Sequence, residues 1–235
     1  MNAIILCAGL STRLKPLTTN LPKCLIKFSK INLLEFWIRK LINSDVKKIL
    51  VNTHFYHEKI KDYLQKHPYK ERIFISHEKK LLGTGGTFMK NLDFYEDNDG
   101  ILLHGDNFFD DNFKNYILMH KKRPSNCLMS MITFKSNYPN ECGIVKTTKN
   151  KILTHFYEKP KLFRGNDANG AIYFISRKMI CDLKNSNKEL NDFSTEIIPK
   201  YLNKIYCIKT NNFFSDIGDI KKLNFLKLKK RFYTN

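Results

Sequence analysis

Ala3-Ile4-Ile5-Leu6-Cys7-Ala8-Gly9-Leu10-Ser11-Thr12-Arg13-Leu14-Lys15-Pro16-Leu17-Thr18, with Pro22-Lys23 close behind, is an apolar run that breaks into a small-residue turn and then meets two basic residues. A buried strand that hands over to such a turn lets backbone N–H groups approach a phosphate chain. Arg13 and Lys23 add positive charge to the same anion. The stretch therefore reads as a triphosphate grip at the carboxyl end of the first strand of an α/β sheet. It contains neither G-x-x-x-x-G-K-[ST] nor G-x-G-x-x-G, so neither a Walker-type loop nor a dinucleotide loop is supported.

Working outward, strand-like and helix-like segments alternate. Residues 3–6, 48–51, 72–75 and 100–103 read as strands. Residues 33–43 carry Leu33, Leu34, Trp37 and Leu41 at helical spacing, residues 57–64 form a second helix, and 86–92 begin a third. This rhythm predicts a parallel sheet covered on both faces. From about Cys127 the pattern changes to strands at 128–133, 144–146, 152–157 and 171–175, which suggests antiparallel additions; helices return at 194–202 and 220–228.

A chain of 235 residues is long enough for a full three-layer core, and one compact domain is the simplest organisation. No apolar run approaches the ~20 residues that span a bilayer, and the N-terminus does not read as a secretory signal. A cytoplasmic protein is expected. The six cysteines form no C-x-x-C pair and fit free thiols in a reducing compartment. A net charge of +19 invites a nucleic-acid partner, but the basic residues are spread along the chain. The densest cluster, Lys227-Leu228-Lys229-Lys230-Arg231, fits a solvated helix end. Without an aromatic RNA-binding motif or a helix-turn-helix pattern, no nucleic-acid partner is expected; the positive field suits polyanionic small molecules.

The opening stretch resembles the signature of the sugar-phosphate nucleotidylyltransferases, G-G-x-G-[ST]-R-L-x-P-L-T followed by a proline–lysine pair. Ser11 stands where many members carry glycine. The resemblance continues in order through Leu82-Gly83-Thr84-Gly85-Gly86-Thr87, His104-Gly105-Asp106-Asn107, Glu141-Cys142-Gly143-Ile144-Val145, Tyr157-Glu158-Lys159-Pro160, Asn169-Gly170-Ala171-Ile172-Tyr173 and Phe214-Ser215-Asp216-Ile217-Gly218. It implies a three-layer α/β fold with a mixed, mainly parallel sheet of the Rossmann-like nucleotide-diphospho-sugar transferase type. It further implies a nucleotide-binding half over about 1–125 and a sugar-phosphate-binding half over about 126–235. The left-handed β-helix tail of some larger relatives is not expected.

The resemblance also assigns roles. Arg13, Lys23 and Asp106 are the catalytic set. Leu6, Ala8, Gly9, Ser11 and Thr12 bind the nucleotide, and Gly83, Thr84, Gly85 and Gly86 take its base. Gly143, Glu158, Lys159, Asn169 and Gly170 face the sugar phosphate. Asp106 and Asp216 hold Mg²⁺, which needs only one or two carboxylates beside phosphates and water. The alternative for Asp216 is a cap on the helix after Gly218, and for Thr84 a helix cap. The implied reaction joins an NTP to a sugar 1-phosphate, releasing pyrophosphate. The leucine-glycine-threonine triplet looks most like the guanylyltransferases, which points to GTP with mannose 1-phosphate or a related heptose 1-phosphate. Uridylyl, thymidylyl or cytidylyl transfer to another sugar phosphate or a phosphocholine-like substrate stays open, as do a catalytically inactive nucleotide-sugar sensor and a homo-oligomer.

Overall fold

The computed structural model describes residues 1–9, 12–186 and 188–230. The first half alternates strand and helix: β1 (Asn2–Leu6), α1 (Leu33–Ile42), β2 (Ile49–Thr53), α2 (His57–Gln65), β3 (Ile73–His77), α3 (Gly83–Lys90) and β4 (Gly100–His104). A short β5 (Asn107–Phe109) and α4 (Phe113–Lys121) follow. The second half contains β6 (Met129–Lys135), β7 (Gly143–Thr147), β8 (Leu153–Glu158), β9 (Asp167–Ile175), α5 (Arg177–Lys184), β10 (Ile205–Lys209), β11 (Phe214–Asp216) and α6 (Ile220–Lys230).

Among the described residues nine strands form one sheet with the path β10-β6-β9-β4-β1-β2-β3, and the β7–β8 hairpin branches from β9. β1 is parallel to β2 and β4, and β2 to β3. β9 runs antiparallel between β4 and β6, which stitches the two halves into one sheet. The later strands are not all antiparallel, because β10 returns parallel to β6. The helix expected over 194–202 is a π-helical turn, Phe193–Ile197, followed by a 3₁₀ turn, Ile198–Tyr201. The helix expected from residue 86 starts three residues earlier, at Gly83.

The layers follow from side-chain alternation along the strands. Ala3, Ile5, Val51, Ile101 and Leu103 point to one face and pack under Trp37, Leu41, Ile60 and Phe113. Ile4, Leu50, Leu102 and Tyr173 point to the other and pack under Phe88, Ile180 and Phe193. A third cluster holds Leu14 and Phe28 against Ile217 and Leu223, so the chain after β1 is anchored to α6. Asn32, Asn112 and Ser176 cap α1, α4 and α5 by accepting backbone N–H bonds. Among the described residues no helix is long and apolar enough to cross a membrane.

Buried Asn107 pins β5 to the main sheet. Its Nδ2 donates to the Gly170 carbonyl at 2.8 Å, and its own carbonyl accepts Trp37 Nε1 at 2.8 Å. Asn107→Ala should lower unfolding stability by about 1–3 kcal/mol, read from urea denaturation. An unchanged denaturation midpoint would show that the Asn107 side chain contributes nothing to holding β5.

Candidate functional site

Where β1 and β4 lie side by side, their carboxyl ends open into a cleft of about 500 Å³. In this strand order the neighbours of β1 are reached by crossovers on opposite sides, which leaves a crevice at the strand ends. Leu6 pairs with His104 at the rim. Gly105 N–H then donates to the Leu6 carbonyl at 2.9 Å. A Cβ on Gly105 would lie 2.6 Å from Cys7 Sγ, so only glycine lets the two strand ends close up here. The next residue, Asp106, is thereby delivered into the cleft.

Lys23 meets it from the opposite wall. Pro22 sits ahead of the 3₁₀ turn Lys23–Leu25 with φ −66°, and buried Cys24 and Leu25 anchor that turn. Lys23 Nζ donates to Asp106 Oδ2 at 2.5 Å. Burial pushes the Asp106 carboxyl up, but the charge and hydrogen bond of Lys23, with His104 behind it, prevail and hold it below the usual carboxylate range. Arg13 stands exposed on the turn Thr12–Leu14, whose Leu14 is buried. Leu6, Ala8, Gly9, Thr12, Arg13, Lys23, Gly83, Thr84 and Asp106 all line the same cleft. Ser11 lies outside the described residues.

Cys7, Cys24, Asn52, Glu78, Leu81, Thr87, His104, Gly105 and Gly218 also line it, although the sequence did not assign them to the site. Asn52 organises one wall. Its Oδ1 accepts Cys7 N–H at 2.6 Å, and its Nδ2 donates to Glu78 Oε1 at 3.0 Å and to Thr87 Oγ1 at 3.2 Å. Glu78 also accepts from the Thr87 hydroxyl and from Leu82 N–H. A carboxylate just past the carboxyl end of β3 was the available signal, since ligand-facing residues collect at that edge. Gly85 and Gly86 are not among the lining residues; their N–H groups turn away to the Asn191 carbonyl.

Asp216 lies on the other strand of the small β5–β11 sheet, and it is not among the residues that line the cleft. It pairs in register with Asn107, and Ile217 N–H donates to the Asp106 carbonyl at 2.9 Å. It does not cap α6, because Asp219 accepts Lys222 N–H in that role. Its Oδ1 instead holds Lys222 Nζ at 2.9 Å, and Lys222 also reaches Glu141 at 3.2 Å. Asp106 and Asp216 both carry hard oxygen donors, the ligand chemistry that suits a divalent cation whose shell phosphate and water complete. Among the described residues no cluster of three or more histidine, cysteine or acidic side chains forms a metal cage.

The remaining candidates lie farther along the sheet and outside this cleft. Gly143 pairs in register with Glu158 across the β7–β8 hairpin. Burial raises the Glu158 carboxyl against the opposing charge of Lys159, 3.7 Å away. Lys159 holds φ at +44°, a left-handed conformation that non-glycine residues adopt at an energetic cost. Asn169 Oδ1 accepts Ala171 N–H at 2.8 Å, and its Nδ2 donates to the Tyr173 hydroxyl at 2.7 Å. Gly170 is taken up by strand packing and by the Asn107 bond. All six cysteines are free thiols.

The family model described as Nucleotidyl transferase matches residues 2–230. The D-glycero-alpha-D-manno-heptose 1-phosphate guanylyltransferase of Campylobacter jejuni is 30% identical over 93% of this chain and 95% of its own length. The Bifunctional protein GlmU of Methanococcus maripaludis is 31% identical over 93% of this chain, which spans 51% of that larger protein. A crystal structure of a Putative Glucose-1-Phosphate Thymidylyltransferase from Bacillus anthracis superposes with a TM-score of 0.87 at 20% identity, covering 98% of this chain and 95% of its own, and shares the fold.

The lowered Asp106 pKa has a signed consequence. A carboxylate held below its unfolded value contributes stability above the ordinary carboxylate pKa and loses it as pH falls through the lowered value. Lys23→Met should therefore destabilise the chain most near neutral pH, and the gap to wild type should narrow on acidification below the ordinary carboxylate range. Thermal unfolding midpoints across a pH series measure this. A gap that does not change with pH would mean that the ion pair contributes nothing to folding.

Proposed function

The chain belongs to the nucleotidyl transferase family, and from that premise we propose that it joins a nucleoside triphosphate to a sugar 1-phosphate, giving a nucleotide sugar and pyrophosphate. The observation that carries this reading is the convergence of Arg13, Lys23 and Asp106 on one cleft at the β1–β4 switch point. The attacking oxygen belongs to a phosphate monoester whose second pKa is about 6, so it is already largely ionised at neutral pH. No general base is needed. The barrier lies in bringing two polyanions into line, and fixed positive charge lowers it. Arg13 and Lys23 supply that charge at the triphosphate, and Lys159 supplies it at the sugar phosphate. Glu158 and Asn169 orient the sugar hydroxyls. A magnesium ion held by Asp106 and Asp216 would neutralise the bound phosphates.

GTP is the nucleotide we favour. The Leu82-Gly83-Thr84 triplet, with Gly83 and Thr84 on the cleft wall, resembles the guanylyltransferase form of this loop. Buried Glu78 shapes that wall, its oxygens already accepting from Asn52, Thr87 and Leu82. The guanylyltransferase relative of similar length supports the same choice. Mannose 1-phosphate or a related heptose 1-phosphate is the preferred second substrate.

Pyrophosphate release measured across a matrix of NTPs and sugar 1-phosphates tests the reading. GTP with mannose or heptose 1-phosphate should be the fastest pair, and chelation of divalent ions should stop it. Silence with every pair would refute the activity. Lys23→Ala and Asp106→Ala should each reduce kcat by about a hundredfold or more while unfolding remains cooperative.

A further inference from the structure

The base loop is moulded by a segment from the other half of the chain. Gly83 holds φ at +74°, and a Cβ there would lie 2.2 Å from the Asn191 carbonyl oxygen. One on Gly85 would lie 2.8 Å from Asp192 N. Backbones pressed this close require glycine on one side. The contact is also hydrogen-bonded: Gly85 and Gly86 N–H both donate to the Asn191 carbonyl, at 2.9 and 3.3 Å. Phe193 N–H donates to Thr84 Oγ1 at 2.9 Å, and the Thr84 hydroxyl donates to Asp192 Oδ2 at 3.4 Å.

The mould is itself held firmly. Asp192 Oδ1 accepts the backbone N–H and the hydroxyl of Thr195, at 2.8 and 2.9 Å, capping the π-helical turn. Glu196 Oε2 reaches back to Asn191 and Asp192 N–H at 2.5 and 3.1 Å. Phe193 packs edge-on to Phe88 of α3, centroids 5.3 Å apart, and lies 4.4 Å from the Tyr173 ring. π-Helical turns of this kind are rare and concentrate at functional sites.

Thr84 lines the cleft, yet its proton and one lone pair are committed to this segment. It is therefore poorly placed to read a base through its own hydroxyl. We propose that residues 191–193 are a specificity-determining element for the nucleotide base, with Asp192 a positioning residue that acts through Thr84 on the Gly83–Thr84 backbone. This rests on the reading of the cleft as a nucleotide site. The segment fixes the shape of the loop against which a base lies, and loosening it lets other bases fit.

The test is equilibrium nucleotide binding, which needs no turnover. A fluorescent GTP analogue is displaced by GTP, ATP, UTP and CTP from wild type, Thr84→Val, Asp192→Ala, their double variant and Asp192→Asn. The ratio of Kd between the worst and best nucleotide should fall about tenfold in each single variant, the worth of one good hydrogen bond. The double variant should lose no more, because both residues act through one contact. Asp192→Asn keeps the oxygen that caps Thr195 and turns an amide N–H toward Thr84 Oγ1, so a hydrogen bond of reversed direction holds the contact and most of the discrimination should remain. Gly85→Ala, which wedges the segments apart without removing a polar group, should reproduce the loss. Equal weakening of all four nucleotides, or additive effects in the double variant, would overturn the proposal alone. A wild-type chain that binds no nucleotide would overturn the nucleotide reading and this proposal with it.

Discussion

A short ion pair between Lys23 and Asp106, 2.5 Å long, spans the cleft at the place where two parallel strands end. Much of the architecture arranges for those two groups to meet. The β1–β4 pairing sets the spacing, Gly105 allows the strand ends to close, and the 3₁₀ turn after Pro22 returns Lys23 to the same rim. The Asp106 carboxylate is only partly exposed, and the Lys23 ammonium beside it is the cation that balances it.

Asp216 repeats the arrangement on β11, where Lys222 of α6 holds it. Each carboxylate proposed for the metal thus starts with an ammonium partner. The β5–β11 pairing ties both acids to one small sheet, and the Leu14–Ile217 cluster ties that sheet to the loop after β1. The charged pairs and the structural scaffold are therefore not separable here. The strand β9 extends the same frame toward Glu158 and Asn169, because it pairs with both β4 and β6.

The alternation of strand and helix through β4 was legible because each element is long enough to show a period. β5 and β11 are three residues each, too short for any periodicity, and only tertiary pairing forms them. α5 and β10 were missed although each carries a local signal: Ser176 caps a turn with Met179, Ile180 and Leu183 at helical spacing, and residues 205–208 are an apolar run. The cleft was legible where glycine, arginine and proline–lysine carry local meaning. Asn52 and Glu78 were not, since a lone polar residue at a strand end gains its role only when three strands bring their ends together. Gly85 and Gly86 show the opposite limit. Their sequence suits contact with a flat base, but close packing against 191–193 uses the same lack of a side chain.

The most direct test of the central claim is a crystal structure with magnesium and a non-hydrolysable GTP analogue. The triphosphate should lie against the turn after β1, with its oxygens on Arg13 and Lys23 and the base beside Gly83 and Thr84. A triphosphate bound anywhere else, with the β1–β4 cleft left to solvent, would contradict it.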